Sequence, residues 1–438
     1  MRLFPIYTWT KGIRNFDHRR KQFSQLPWAQ GVLLLCCVVV AMLLANLPFT
    51  KDILMTVFFF TVGLEIRREM KNGELSSMKK AMMPVIAAFG GVVAPALIFT
   101  AVNHGSAAAS GWGIPTATDI AFAVGILSIL GDRVPVSLKV FLTALAIADD
   151  LIAILVVALF YGGTINFGLL AIAFVLIALV LLMNKLGEKR GWFYLVPAIA
   201  IWSLFYYAGI HSTMSGVVMA FLVPMTPRFN EAYFHRKRLQ YIRRLNEYNG
   251  IASTSSEFPN GPQRHCLRRL SAISRDSIGM SYRLEHALGP WVNFLIMPIF
   301  ALANAGVEIP DVSYFNVFQF DQVLGSVSMG IFLGLVLGKP LGISLASFIA
   351  VKLHVGEMPA KSTWPMLIAV ACLGGIGFTM SIFVDTLSFG DQTPEVMARL
   401  RDMGKVAVLM GSLCAGILGS VLINIIHGIE SRKAAVKA

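Results

Sequence analysis

Charged residues are scarce in this chain. Asp, Glu, Lys and Arg make up 14% of its 438 residues, whereas hydrophobic residues make up 56%. This scarcity, together with a mean hydropathy of +0.69, excludes a soluble protein of this size. Apolar runs long enough to cross a bilayer recur along the chain, so the sequence predicts an all-α polytopic membrane protein.

Three sequence motifs are also missing, and each absence argues against a class of protein or a kind of site. No G-x-x-x-x-G-K-[ST] phosphate loop occurs, which argues against transport driven by nucleotide hydrolysis. The five cysteines form neither a disulfide framework nor a metal-binding spacing, and no cofactor is expected. Residues 1–27 lack the apolar core and cleavage site of a signal peptide, so the first apolar run is expected to act as the anchor.

The apolar runs alternate with short polar or Gly/Pro-rich turns, and this pattern predicts twelve transmembrane helices. Eight lie within residues 28–225 and four within residues 285–427. A basic cytoplasmic loop, 226–284, separates the two groups, and residues 1–27 and 428–438 form cytoplasmic ends. The predicted spans are 28–46, 53–66, 83–103, 114–130, 139–161, 166–184, 192–207, 209–225, 288–306, 323–341, 364–386 and 405–427.

Positive charge is distributed unevenly. Nearly all of the 37 Lys and Arg residues fall in segments on the same side as the N-terminus, so the positive-inside rule predicts both termini in the cytoplasm. Anionic lipid headgroups, rather than nucleic acid, are the expected partner of the loop 226–284. Within it, Glu231 to Tyr248 is predicted as a basic amphipathic helix on the inner leaflet, with a partly disordered loop as the equal alternative.

Two adjacent acids, Asp149 and Asp150, lie in the middle of the apolar run VFLTALAIADDLIAILVVALFY. An ionised carboxylate at the centre of a membrane helix costs roughly 3 kcal/mol, so a purely structural role rarely needs two of them. Successive helical residues are rotated by about 100°, which points the two side chains in different directions and indicates different roles. The pair is a candidate carrier of protons or cations.

Two predicted spans contain helix-breaking sequences, one in each half of the chain. In IPTATDIAFAVG, Pro115 and the threonines that follow it precede a third membrane acid, Asp119; in LGGIGFTMS, three glycines are clustered. Paired interruptions of this kind are typical of transporters built from inverted repeats, with the site where the repeats meet. Glycines are also ordinary helix-packing residues in membranes, so the second break is the weaker signal.

Lys339, in VLGKPLGIS, is the only Lys or Arg in the hydrophobic interior of the predicted spans, away from their first and last residues, and it is followed by Pro340. Where half-helices face each other, an acid would neutralise the partial positive charge of two N-termini, and a base the partial negative charge of two C-termini. Asp119 and Lys339 suit these two roles. Lys339 has the alternative of pairing with Asp149, in a buried ion pair that would open when sodium or a proton arrives. Structural anchoring is the simpler alternative for Asp119 and Lys339.

A second polar group lies at the predicted cytoplasmic ends of the spans. In TVGLEIRREM, Glu65, Arg68 and Glu69 share one helix face at i, i+3 and i+4. Glu285 and His286 begin the ninth span, and histidine titrates in the physiological range. An interfacial ion-pair cluster and a regulatory cluster are equally compatible with these residues.

These motifs resemble the NhaA-type sodium/proton antiporters. The matching segments follow the family order and reach nearly every predicted span. They are FFFTVGLEIRRE, PTATDIAFAVG, FLTALAIADDL, GIHSTMSGV, RLEHALGPWV, PIFALANAGVEI, GKPLGISL and GGIGFTMSIF.

The resemblance implies a bacterial inner-membrane protein of twelve helices, in inverted repeats with two interrupted helices that cross at the bilayer midplane. It implies electrogenic, pH-dependent extrusion of Na+ and Li+ in exchange for a larger number of protons. Asp149 and Asp150 match the Na+- and proton-binding pair, Thr118 and Asp119 the accessory groups at the crossed chains, and Lys339 the site lysine. The residues that match the family's pH-response region are Glu65, Arg68, Glu69, Glu285 and His286.

The sequence departs from the family pattern in three places. The turn LPFTKD is too short for the extracellular hairpin that supports dimer contact in some relatives, so a homodimer of that kind is in question. The loop 226–284 is longer than in compact members. Gly289 stands where a second histidine often follows Glu285 and His286, which weakens a histidine-based pH sensor.

Two rival functions remain at this point. A sodium-coupled symporter would need a polar cavity for an organic substrate, which the spans do not indicate. An intramembrane aspartyl protease would need two aspartates from separate helices, such as Asp119 and Asp150, but the core lysine and paired breaks favour ion exchange.

Overall fold

The computed structural model describes residues 48–162, 165–251, 261–300, 325–360, 362–390 and 392–437, together with Pro259 and Val317. In this part of the chain the secondary structure is helical, with no β-strand. Four predicted features lie outside the described residues. They are the segment 1–27 predicted to be cytoplasmic, the first predicted span, the middle of the basic loop and the end of the ninth predicted span.

The described helices follow one another along the chain with short connections. In the first half these are α1 (Pro48–Asn72), α2 (Met78–Val102), α3 (Ile120–Leu130), α4 (Val136–Phe160), α5 (Phe167–Lys185), α6 (Trp192–Tyr207) and α7 (Thr213–Leu222). In the basic loop and second half they are α8 (Glu231–Ile251), α9 (Gly261–Asp276), α10 (Met280–Trp291), α11 (Val327–Leu333), α12 (Lys339–Lys352), α13 (Trp364–Leu373), α14 (Phe378–Leu387) and α15 (Pro394–Lys437).

Among the described residues, five helices are long and apolar enough to cross a membrane, and seven if each of two bent pairs counts as one span. The first bent pair joins a 3₁₀ helix, Ala107–Thr116, to α3 at 41°; the second joins α13 to α14 at 51°. Both interruptions predicted from the sequence are therefore confirmed. Extended backbone follows the Pro115-Thr116 pair in the first, and the glycines 374, 375 and 377 occupy the second.

Several predicted boundaries differ from the structure. Residues 48–52, predicted as a turn, form the start of α1, and the tenth span continues to Lys352 instead of ending at residue 341. The reason for the second difference is a π-helical turn, Gly334–Gly338, which widens the helix just before Pro340 and lets it continue without that residue's N–H. The helix predicted over Glu231–Tyr248 is present as α8, and α9 was not predicted.

Small residues bring the central helices close together. A side chain on Gly90 of α2 would collide with the Gly342 carbonyl of α12, and one on Gly342 would collide with the Gly90 carbonyl. Such mutual contact lets two backbones pack without intervening side chains, as is common between membrane helices. α12 carries Lys339 at its start, and the preceding Gly338 likewise lies against the backbone of Pro95 in α2.

Candidate ion-binding site

The two helix interruptions are bonded to each other. The backbone N–H of Asp119 donates to the carbonyl of Ile376 over 2.7 Å. The hydroxyl of Thr118 donates to the carbonyl of Gly374 over 2.8 Å. Each break thus satisfies backbone groups of the other, which two separate broken helices could not do in an apolar surrounding.

Asp119 caps both half-helices that leave the breaks. Its Oδ1 accepts from the N–H of Phe122 (3.2 Å) in α3, while its Oδ2 accepts from the N–H of Thr379 (3.1 Å) and from the Thr379 hydroxyl in α14. The carboxylate is buried and lies where both helix dipoles are positive. It is the acid near two N-termini that the sequence suggested. Both oxygens are engaged in capping, which argues against its forming a protease dyad with Asp150.

Lys339 reaches from α12 to the acid pair of α4. Its Nζ donates to Asp149 Oδ2 and to the Thr118 hydroxyl, the latter over 2.5 Å. Lys339 and Asp149 are both 0% exposed. The pairing with Asp149 is therefore the arrangement in this structure, and Thr118 connects the lysine further to the Gly374 carbonyl at the end of α13. A buried pair of this kind is strongly destabilised when one partner is removed.

Asp150 faces a different surrounding from its neighbour. It is 2% exposed, and it has no ion-pair partner among the described residues. Oδ1 of Asp150 and Oδ1 of Asp149 are both buried without a hydrogen-bond partner in the described part of the chain. Unsatisfied carboxylate oxygens in an apolar interior are costly. The pair therefore offers acceptor atoms to which a proton or a cation can bind.

The predicted cytoplasmic cluster is assembled around one arginine. Arg68 forms ion pairs with Glu65 (3.8 Å), with Glu69 (3.0 Å) and with Glu285, which comes from α10. The side chain of His286 is exposed and instead packs its ring against Tyr282, with 4.2 Å between centroids. Four of the five predicted residues are thus brought together, and His286 is outside their ion pairs.

Two polar residues escaped the sequence analysis. Thr379 supplies two of the three hydrogen bonds to Asp119, but a threonine just after a glycine cluster carries no distinctive signal. Asp385 is a fourth fully buried acid, on α14. Its position at the end of the predicted span 364–386 made it resemble a boundary residue. Its depth in the protein could not be recognised without the neighbouring helices.

Comparison with known proteins gives consistent matches over this whole region. A family model described as Na+/H+ antiporter 1 matches residues 48–423. A protein named Na(+)/H(+) antiporter NhaA from Syntrophobacter fumaroxidans is 42% identical over 370 residues, covering 84% of this chain and 76% of that protein. Proteins of the same name from Oleidesulfovibrio alaskensis and Pelagibacter ubique are each 38% identical, covering 94% and 93% of this chain and 95% and 97% of their own lengths.

Proposed function

This chain belongs to the Na+/H+ antiporter 1 family, and we propose that it exchanges Na+ for protons across the bacterial inner membrane. The observation that carries the proposal is the buried group formed by Asp149, Asp150 and Lys339 beside the two bonded helix interruptions. Unpaired carboxylate oxygens in the middle of a membrane helix have no structural use of their own.

In the proposed cycle, Na+ and protons compete for the same carboxylates. Asp150 supplies the principal negative charge for the cation, and Asp149 joins it when the contact with Lys339 opens. Protonation of both acids removes those charges, so the cation must leave. If two protons replace one Na+, each cycle moves net charge, which is the basis for proposing electrogenic exchange. Li+, with the same charge, is proposed as a second substrate.

Alternating access requires the site to be closed to one side of the membrane at a time. A group of packed apolar side chains supports such a closure on one side of Asp150. Past Asp150 along α4, apolar side chains surround a cavity of only about 10 Å³. Thr213 is the one polar residue in its lining, and a cavity of this size does not hold a hydrated ion. The residues that surround it include Phe59, Ile154, Val157, Val217 and Phe383.

We further propose the twelve-helix, inverted-repeat fold with both termini in the cytoplasm. One bent pair in each described half, with the breaks hydrogen-bonded to each other, supports a repeat related across the membrane plane. Labelling of single cysteines placed in the basic loop and in the turn after α4 would test the orientation from each side of the membrane. A homodimer is proposed from the family resemblance alone, and light scattering in detergent would test it.

Anionic lipid is proposed as a partner near the basic loop. A groove of about 1200 Å³ runs between α1, α6, α7 and α10, with apolar walls that include Trp192 and Trp202. Its lining also contains five basic side chains, three of which form ion pairs with the one acid there, Asp276. The excess of positive charge beside apolar walls suits a phosphate headgroup with acyl chains. The five basic residues are Lys189, Arg190, Arg228, Arg275 and Arg283.

The direct test of the main proposal is ion flux in reconstituted liposomes. A Na+ pulse should drive proton movement in the opposite direction, Li+ should do the same, and K+ tested separately would define selectivity. If the exchange is electrogenic, a membrane potential that drives protons in the direction in which they already move should accelerate it. Proton movement that ignores Na+ would contradict the antiporter proposal, and acceleration by an organic solute would instead favour a symporter.

A further inference from the structure

Asp385 is a buried acid for which the exchange site described above has no use. It lies on α14, is 0% exposed, and neither of its oxygens has a hydrogen-bond partner within the described part of the chain. An orphaned carboxylate inside a membrane protein is among the costliest groups to bury. Its retention there indicates a function that needs the acid itself.

The space for this carboxylate is built by a glycine of α15. A side chain on Gly404 would collide with Asp385 Oδ1 and lie 3.5 Å from Oδ2. The acid therefore rests directly against the backbone of α15.

Charged groups near Asp385 interact with it electrostatically but do not form hydrogen bonds with its oxygens. Lys405 and Arg401 of α15 attract its negative charge, and Asp402 opposes them. Lys405 is bonded to Asp402 (3.4 Å), and Arg401 donates to the Ser388 carbonyl (3.3 Å). Two cations and one acid thus lie around a carboxylate whose own oxygens have no hydrogen bond in the described part of the chain. The same cations repel Na+.

The position of Asp385 connects it to the exchange site. Asp385 lies six residues after Thr379, the residue that binds Asp119, which corresponds to about 9 Å along a helix. Beside it is Tyr161, the residue just after α4, whose hydroxyl donates to the Ser110 carbonyl (2.9 Å) and accepts from the Gly113 N–H (3.0 Å). Both α4 and α14 end here, on the side that the positive-inside rule predicts to be outside.

We propose that Asp385 is a proton-binding residue on the outer side of the exchange path, which receives protons from outside and passes them toward the Asp149 and Asp150 pair. This inference rests on the proposed Na+/H+ exchange. In the first step a proton from external water forms an O–H bond on Asp385. That bond then breaks, and the proton is transferred through water to a carboxylate of the pair when the path between them opens. No oxidant or other reactant is needed.

The test uses Asp385→Asn in right-side-out vesicles, with two measurements on the same preparation. The first is Na+-driven proton movement at several external pH values; the second is exchange of ²²Na+ for unlabelled Na+ at equal pH, which needs no net proton transfer. We expect the first to fall by about 10-fold or more and to lose its dependence on external pH. We expect the second to be nearly unchanged, and Asp385→Glu to restore proton movement with an altered pH profile.

Glu395→Gln, at an exposed acid in the first turn of α15, is the matched control and should behave like the parent. If Asp385→Asn does not insert, Gly404→Ala tests the same point by displacing the carboxylate, with the same expected split between the two measurements. Equal loss of both fluxes would indicate a structural role and overturn the assignment, as would no loss of either. A parent protein without Na+-driven proton movement would instead overturn the proposed exchange.

Discussion

The proposed exchange site and the basic hairpin formed by α8 and α9 differ in how their charged groups are placed. The site contains few charged groups, all buried, and Lys339 and Asp119 are each held by specific partners. The hairpin carries many Lys and Arg side chains near solvent, several lying over aromatic rings, such as Arg238 over Phe234 and Arg244 over Tyr241. Water screens the second group and cannot reach the first. The number of charges in a region is therefore a poor guide to the effect of losing one.

The largest effect is expected from Asp150→Asn, which should abolish Na+-dependent proton movement. The amide neither binds a proton nor offers a full charge to a dehydrated cation. Losing an interaction with a charged group, worth up to about 3 kcal/mol, lowers exchange by roughly 100-fold. Asp149→Asn should be nearly as severe. Liposome flux would measure both, with Asp132→Asn at an exposed acid as the matched control. Parental flux in an inserted Asp150→Asn protein would remove Asp150 from the site.

The second effect concerns stability more than transport. Lys339→Ala leaves Asp149 as a buried charge without its partner, at a cost of about 3 to 5 kcal/mol. A thermal unfolding experiment in detergent should show a clear loss, whereas Lys352→Ala at the exposed end of the same helix should not. Unfolding of Lys339→Ala at the parental temperature would mean that the ion pair contributes nothing to the fold.

A smaller, conditional effect is expected from acidification. Because a protonated carboxylate cannot hold Na+, lowering the pH should raise the Na+ concentration for half-maximal exchange, while saturating Na+ restores most of the rate. His286→Ala should leave this behaviour unchanged, since its side chain is exposed and outside the ion pairs of Arg68. Na+ titrations at several pH values would compare the two proteins. If the maximal rate collapses at low pH and His286→Ala relieves the collapse, a separate pH switch exists.

The sequence predicted the features that are local along the chain. The acid pair within an apolar run and the two interrupted spans could be read from residue type and spacing. The partner of Lys339 could not, because both an Asp149 pair and a helix-end role were compatible with its position. Likewise, Arg68 meets Glu285 across 217 residues of chain, a contact that helix periodicity cannot specify. Asp385 was missed because its burial comes from a glycine on another helix.

The smallest effect is expected from deleting residues 232–278, which removes most of the basic hairpin. The segments that flank the deletion are already adjacent, since the N–H of Ser281 donates to the carbonyl of Pro224 over 3.2 Å, so the chain can be rejoined with little strain. Screened surface charges contribute about 0 to 1 kcal/mol each, and none touches Asp149 or Asp150. Exchange in liposomes of neutral lipid should therefore remain close to the parental rate. Any stimulation by phosphatidylglycerol should shrink if the hairpin contributes to lipid binding. A deleted protein that inserts normally but no longer exchanges ions would show instead that the hairpin gates the buried site, and the contrast between the two regions would not hold.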